Sequence, residues 1–418
     1  MSEDSGGRGP WMKRFFTVWS GQAVSLIGSA LVQFSLVWWL TIETRDPIIL
    51  LTATIVGVIP HILIVPFAGA MVDRMGRRRV MLAADGLTAA ATAVLMLSFL
   101  TGAVEIWHVF AVLAARSALQ GFHWPAMQAS TSLMVPEEHL ARIGGLNQSI
   151  QGLSSIIAPP MGAVLIAALP MGAILSVDIV TAAVAMLALI VVRVPEIRRA
   201  QDAPPTSILK DMGEAFRYLW TWKGALIVMV IFMAANLLIT PAFTLLPLLT
   251  LEHFGKGALE YAAMESMAGA GMIAGGVLLG VWGGTKRKIV TSMAALTLMG
   301  IGVSVIGLLP PGGYLIAVVA CLFVGFMLAL VNGTVMAILQ KGIRADLQGR
   351  VFALLGAIAN AMIPAGLLLA APVSVTLGIQ PWFAVAGAVL LIIGGASFFA
   401  PAVMRLEDHV AEKVAVDH

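Results

Sequence analysis

Arg116, Asp178, Asp85 and Glu265 each stand inside a long apolar run, and that setting gives them their chemistry. An ionised side chain in hydrocarbon costs roughly 2.5–3.5 kcal/mol on insertion scales, so one retained there is read first as functional. Glu265 lies about two helical turns into its run, where a carboxyl group could bind and release a proton as coupling to an ion gradient requires. Asp178 and Asp85 are the other proton-coupling candidates, Asp85 with the alternative of pairing with nearby loop arginines. Arg116 could contact an anionic substrate or tune a carboxylate. Its other reading is a structural pair with an acid. His61 and His123 rank below the acids. Histidine changes charge between about pH 5 and 8, but a lone histidine in such a run is more often hydrogen-bonded structure.

Neutral polar residues in the same runs suggest a cavity. Gln22, Ser25 and Gln33 lie in the first run, Trp124 in the fourth, Gln148 and Gln151 in the fifth, Asn236 in the seventh and Asn332 in the tenth. With Arg116, the Trp, Gln and Asn residues form a candidate substrate-binding set. The alternative is helix–helix hydrogen bonding, which is common among apolar helices. The 23 Met and 17 Phe residues would make a soft lining able to repack around varied ligands, and serve equally as lipid-facing filler.

The elements that must hold these residues follow from composition. Of 418 residues, 59% are hydrophobic and 11% charged, against about 25% charged in a soluble domain. A chain this long cannot hide so much apolar surface from water. A soluble enzyme, a disordered chain and a disulfide scaffold are excluded, and Cys321 is the single cysteine. The runs are continuous rather than alternating, so they predict spanning helices, not barrel strands. Twelve are long enough: 15–42, 48–72, 80–101, 105–134, 139–169, 171–193, 221–251, 258–284, 289–309, 314–340, 347–376 and 382–404. The first begins after Lys13 and Arg14 and continues to Leu40, too long for a cleaved signal.

With the N-terminus in the cytoplasm, only Arg45 and Lys256 of the 25 Lys and Arg residues fall outside, and Arg116 falls within a span. That asymmetry fits the positive-inside rule and puts both termini in the cytoplasm. All ten tryptophans except Trp124 fall near a membrane face, where indole rings settle. The basic residues are spread over every cytoplasmic loop without an aromatic platform, so no nucleic-acid partner is expected.

Residues 194–220 are the long polar stretch inside the chain. From Thr206, Leu209, Met212, Phe216 and Leu219 recur at helical spacing against Lys210, Asp211, Glu214 and Arg217, the pattern of an amphipathic helix on the membrane face. The reading is thus three parts: residues 1–193 as an N-terminal six-helix bundle, 194–220 as a cytoplasmic linker, and 221–418 as a C-terminal bundle with a short tail. The halves also repeat. One constant spacing separates Gly121, Gly145, Gly152, Pro160 and Gly162 from Gly325, Gly349, Gly356, Pro364 and Gly366. Two like six-helix bundles suggest a transporter with its site at mid-membrane.

Between the second and third spans stands Gly69-Ala-Met-Val-Asp73-Arg74-Met-Gly76-Arg77-Arg78-Arg79. The glycines suit a tight turn, and Asp73 among arginines suits a charge-assisted network at a helix end. This spacing resembles the signature loop of the major facilitator superfamily. The second-half loop keeps Gly280 and Lys286-Arg287-Lys288 but has no Asp in register. Phe122-His123-Trp124-Pro125-Ala126, Leu133-Met-Val-Pro136-Glu137-Glu138, Leu146-Asn147-Gln148-Ser149, Pro159-Pro160-Met-Gly162 and the linker segment from Asp211 to Leu219 are similar to its drug:proton antiporter branch, which holds macrolide-efflux proteins and siderophore exporters.

The resemblance implies an all-α membrane protein of twelve helices in two six-helix pseudo-repeats, with the first, fourth, seventh and tenth spans lining the cavity. It implies proton-coupled efflux of amphipathic, macrolide-type molecules across the cytoplasmic membrane by alternating access. Gly69, Asp73, Arg74, Gly76, Arg77 and Arg78 would act as the conformational loop. No cofactor is expected beyond the proton gradient, and the partners are the bilayer, a small-molecule substrate and protons, with the chain as a monomer. The alternatives are a dedicated exporter of a siderophore or metabolite, a lysophospholipid flippase, or a non-transporting receptor or scaffold. No G-x-x-x-x-G-K-[ST], H-E-x-x-H or G-x-S-x-G sequence occurs, which counts against an ATPase or a hydrolase.

Overall fold

The structure is a computed structural model. It describes residues 10–192, 222–343 and 345–407, together with Gly213, Phe216, Arg217 and Trp220. Among them, each of the twelve apolar runs coincides with one long helix: α1 Pro10–Thr44, α2 Pro47–Met75, α3 Arg77–Leu100, α4 Ile106–Met134, α5 Glu137–Ala168, α6 Met171–Val191, α7 Lys223–Leu248, α8 Ala258–Trp282, α9 Lys288–Leu308, α10 Tyr314–Gly342, α11 Ala345–Thr376 and α12 Ile379–Ser397. A four-residue α13, Pro401–Met404, follows. Away from its ends a helix closes its backbone hydrogen bonds within its own segment, which is the condition for burying a peptide in hydrocarbon.

Eleven of these helices are long and apolar enough to cross a membrane. The exception is α4, as long as α2 and α10 but carrying His108, Arg116, Gln120, His123 and Gln128. α7 runs on into a π-helical turn, Leu249–His253, which the apolar run did not announce. The linker's expected amphipathic helix lies almost wholly outside the described residues. Of it, Phe216 and Trp220 lie one turn apart with their rings tilted and their centroids 5.4 Å apart.

Close contacts divide the chain into two compact units, residues 1–39 with 56–203 and residues 40–55 with 204–418. In the first unit, Phe15, Val18, Val72, Val80, Met81, Met134, Ile143 and Leu189 form a buried core where α1 to α6 converge. In the second, glycines set the packing. A Cβ on Gly271 would lie 2.8 Å from the Phe326 amide nitrogen, and one on Gly387 would meet the Ser304 backbone. Small residues at such crossings let helices approach to backbone contact and gain dispersion over a long seam.

The repeated glycines take matching positions in the two units. Gly121 of α4 packs on His61 and Ile64 of α2, and Gly325 of α10 packs on Ala268 of α8. Gly162 of α5 packs on Leu31 and Phe34 of α1, and Gly366 of α11 packs on Leu237 of α7. At these two pairs of positions the repeat in sequence is a repeat of helix crossings, while Gly145 and Gly356 face open space.

Gly76 separates α2 from α3 with φ 86°, a conformation that costs a side chain roughly 1 kcal/mol or more. This one residue turns the chain so that Arg77 and Arg78 open α3.

Candidate functional site

The first unit holds an open cavity of about 940 Å³, counting the part that merges with solvent. α1 lines it with Trp19, Gln22, Ser25 and Ser29, spaced to share one helical face. α4 contributes Gln120, His123, Trp124, Met127 and Gln128, again one face. Asp85 and Thr88 come from α3, Asn147 and Gln151 from α5, and Asp178 from α6. Gln120, His123 and Gln128, three of the polar residues that set α4 apart, are among the ones it turns inward.

Arg116 and Asp178 are joined to each other. Their side chains form an ion pair between α4 and α6, with Asp178 1% exposed and Arg116 12%. Thr92 of α3 donates to Asp178 Oδ2 at 2.8 Å, Ser29 of α1 donates to Oδ1 at 2.7 Å, and Arg116 Nη1 donates to Thr92 Oγ1 at 3.0 Å. Four helices meet at one carboxylate whose oxygens each accept from a hydroxyl and from the guanidinium. Charge-assisted bonds of this kind are the strong ones, and a fully satisfied buried network rigidifies what it joins.

Asp85, 9% exposed, is held differently. Gln22 Nε2 donates to its Oδ2 at 3.0 Å. His123 Nε2 lies 3.2 Å from Oδ1, yet the approach is not aligned as a hydrogen bond and Nε2 is buried without one. On the cavity wall nearby, Trp19 Nε1 donates to Asn147 Oδ1 at 2.8 Å, which fixes that indole.

The loop arginines reach elsewhere. Arg78 donates from Nε to the Leu189 carbonyl at 2.7 Å and from Nη2 to the Ile190 carbonyl at 2.9 Å. These are among the last carbonyls of α6, which lack helical partners and attract a cation. Arg77 Nη1 donates to Ala129 of α4 at 2.6 Å. The sequence motif thus ties the start of α3 to the ends of two neighbours. Gly69 stands within α2, and the side chains of Asp73 and Arg74 lie outside what the structure describes.

Of the other candidates, Trp124 and Gln151 line the cavity, while Gln33 and Gln148 are exposed on their helices and do not. In the second unit, Asn236 bonds back to Phe232 of its own helix at 3.0 Å, and Asn332 is exposed. Glu265 hydrogen-bonds with Tyr261, one turn earlier on α8, and its Oε2 is buried with no hydrogen-bond partner. A smaller cleft in this unit is walled by apolar residues, including Phe243 and Phe383, and by Cys321.

Sequence reasoning missed Ser29, Thr92, Trp19, Asn147 and the closeness of His123 to Asp85. Hydroxyls and amides are common in apolar helices, and only the crossing of α1, α3, α4 and α6 selects these. Among the described residues, no cluster of three His, Cys, Asp or Glu side chains suits a metal ion.

Residues 18–366 match the sequence profile of the Major Facilitator Superfamily. Macrolide efflux protein A of Streptococcus pyogenes is 33% identical over 384 residues, which cover 92% of this chain and 95% of that protein. The multidrug efflux pump Tap of Mycolicibacterium fortuitum is 27% identical over 418 residues, 96% of this chain and 98% of that one. Among solved structures, a POT family transporter in complex with a thioalcohol-conjugated peptide matches with a TM-score of 0.74 over 93% of this chain and 96% of the other, at 12% identity, a likeness of fold alone. A profile match across most of its length and kinship along nearly all of it agree with the twelve helices: this multi-pass membrane protein belongs to the major facilitator superfamily of transporters.

Proposed function

We propose that this protein exports amphipathic, drug-like small molecules, macrolides among them, across the cytoplasmic membrane by alternating access, driven by proton entry. The observation that carries the reading is the 33% identity, along 92% of the chain, to a protein named for macrolide efflux. The cavity supports it: two indoles, a methionine, several amides and two carboxylates face one space, a lining that suits a bulky molecule with a few polar groups. Gln22, Trp124 and Gln151 line that space, and Arg116 borders it through Asp178. Gln33, Gln148, Asn236 and Asn332 remain candidate substrate-binding residues outside that space. Coupling falls to Glu265, Asp178 and Asp85, and the Gly69 to Arg78 loop to stabilising one end state. The halves, residues 1–193 and 221–418 with the linker between, would rock as two bundles in a monomer with both termini cytoplasmic.

Expression in an efflux-deficient bacterium tests the export. The expected result is at least a fourfold rise in the inhibitory concentration of a macrolide and of one unrelated amphipathic drug, abolished by a protonophore in uptake assays. Unchanged sensitivity to every member of a drug panel, with the protein present in the membrane, would sink the proposal. The orientation is tested by single cysteines in a C321A background. Arg45→Cys should react with a membrane-impermeant maleimide on intact cells and Arg79→Cys only after permeabilisation; labelling of both from outside overturns the topology.

A further inference from the structure

The loop between α8 and α9 carries no acid, and the far end of the chain brings one to it. α9 opens on Lys286-Arg287-Lys288, with no acidic residue in its first turn and no side-chain cap from its own N-cap, Arg287. Cations at that end oppose the helix dipole, and the first N–H groups have no acceptor inside the helix. Glu407, 118 residues further on, accepts from the Ile289 N–H through Oε2 at 3.2 Å. We infer that the segment after α12 is a clasp, with Glu407 capping α9 in place of the Asp this loop lacks, and that Glu407 is a positioning residue for export.

The inference rests on the export reading and deepens it. Packing delivers the carboxylate. In the segment that carries it, Val403 is 0% exposed and Leu406 1%. The segment seats on the start of α7, where Gly224 makes room for it: a Cβ there would meet the Ala402 carbonyl oxygen and lie 2.9 Å from Leu406 Cδ1. One short stretch of chain thus ties together the neighbouring ends of α7, α9 and α12. α9 and α12 also touch backbone to backbone, since a Cβ on Gly300 would lie 2.7 Å from the Gly387 carbonyl oxygen.

A half that rocks as one body needs those ends held together. With the clasp open, the first turn of α9 frays under its three cations, and the half transmits motion poorly. The cavity of the first unit is untouched by this. Glu407 therefore acts on the rate of the conformational cycle and not on the binding of substrate.

Hydrogen–deuterium exchange on the purified full-length protein reads the cap without transport. Over residues 285–293, Glu407→Ala should exchange about fivefold faster than the wild type, the change that losing one cap corresponds to. Gly224→Val, which drives the segment off α7, should speed exchange in the same stretch with Glu407 still present. Arg287→Asp supplies a cap from the N-cap position itself, whose φ of −102° and ψ of 103° suit one. Added to Glu407→Ala, it should bring exchange back to within about twofold of the wild type. In proteoliposomes, Glu407→Ala should lower the maximal rate of macrolide export at least about threefold with KM unchanged, and Arg287→Asp should restore the rate. If Glu407→Ala alone does not fold, recovery of folded protein by Arg287→Asp supports the clasp. Unaltered exchange in Glu407→Ala, no rescue by Arg287→Asp, or a raised KM at an unchanged maximal rate overturns the inference. Absence of macrolide export by the wild type would remove the export reading and leave the exchange measurements to judge the clasp.

Discussion

Arg116→Ala is expected to destabilise the protein by about 3–5 kcal/mol, the usual cost of stripping one partner from a buried ion pair. The substitution leaves Asp178, 1% exposed, with only the Thr92 and Ser29 hydroxyls to hold it. Asp178→Ala strands the guanidinium in the same place. Two hydroxyls satisfy hydrogen-bonding capacity but supply no compensating charge, so either single variant should unfold well below the wild type when melting is followed in detergent. The double variant Arg116→Met with Asp178→Leu removes both charges and fills similar volume. It should recover most of the loss, because a buried ion pair adds little over a well-packed apolar replacement. Singles as stable as the wild type would show that the pair contributes nothing to holding α1, α3, α4 and α6 together. The same set bears on mechanism. If Asp178 carries a proton during transport, the recovered double variant will be folded and inactive. If it transports, the pair is scaffolding, and coupling lies with the remaining carboxyls.

This pair also shows what a sequence does and does not disclose. Every helix was legible, because a run of about 20 apolar residues has one low-energy structure in hydrocarbon. The repeated glycines marked the crossings, Gly121 with Gly325 and Gly162 with Gly366, since only a residue without Cβ admits such approach. Arg116, Asp178 and Asp85 stood out by the cost of charge in their runs. Their pairing did not, because partners 62 residues apart are set by the rotation of α4 against α6, which hydropathy does not encode. The fate of Asp85 was open for the same reason. It sits two turns inside α3, facing Gln22 and His123, while Arg78 spends its donors on the carbonyls at the end of α6. The π-helical turn after α7 left no trace in composition either.

Glu265→Gln is expected to abolish uphill, gradient-driven transport in proteoliposomes, a loss of at least about tenfold, while exchange of labelled for unlabelled substrate at equal pH continues. Glu265 shares a hydrogen bond with Tyr261, and its Oε2 is buried with no donor. Among the described residues no donor reaches that oxygen, unlike Asp178 with its guanidinium and two hydroxyls. In the proposed coupling role this carboxyl takes a proton on one side of the membrane and releases it on the other, which is the work of a carrier. Glutamine keeps the shape and the bond to Tyr261 but holds no exchangeable charge, so the variant mimics a carrier that never unloads. Export against a gradient then stops, and exchange, which needs no net proton movement, survives. Because the isostere leaves the seam of α8 with α10 untouched, thermal stability should stay within about 1 kcal/mol of the wild type, which separates a lost proton site from a lost fold. Uphill transport at the wild-type rate by Glu265→Gln would take the coupling role from this residue and return it to the cavity of the first unit, where Asp85 and His123 stand 3.2 Å apart.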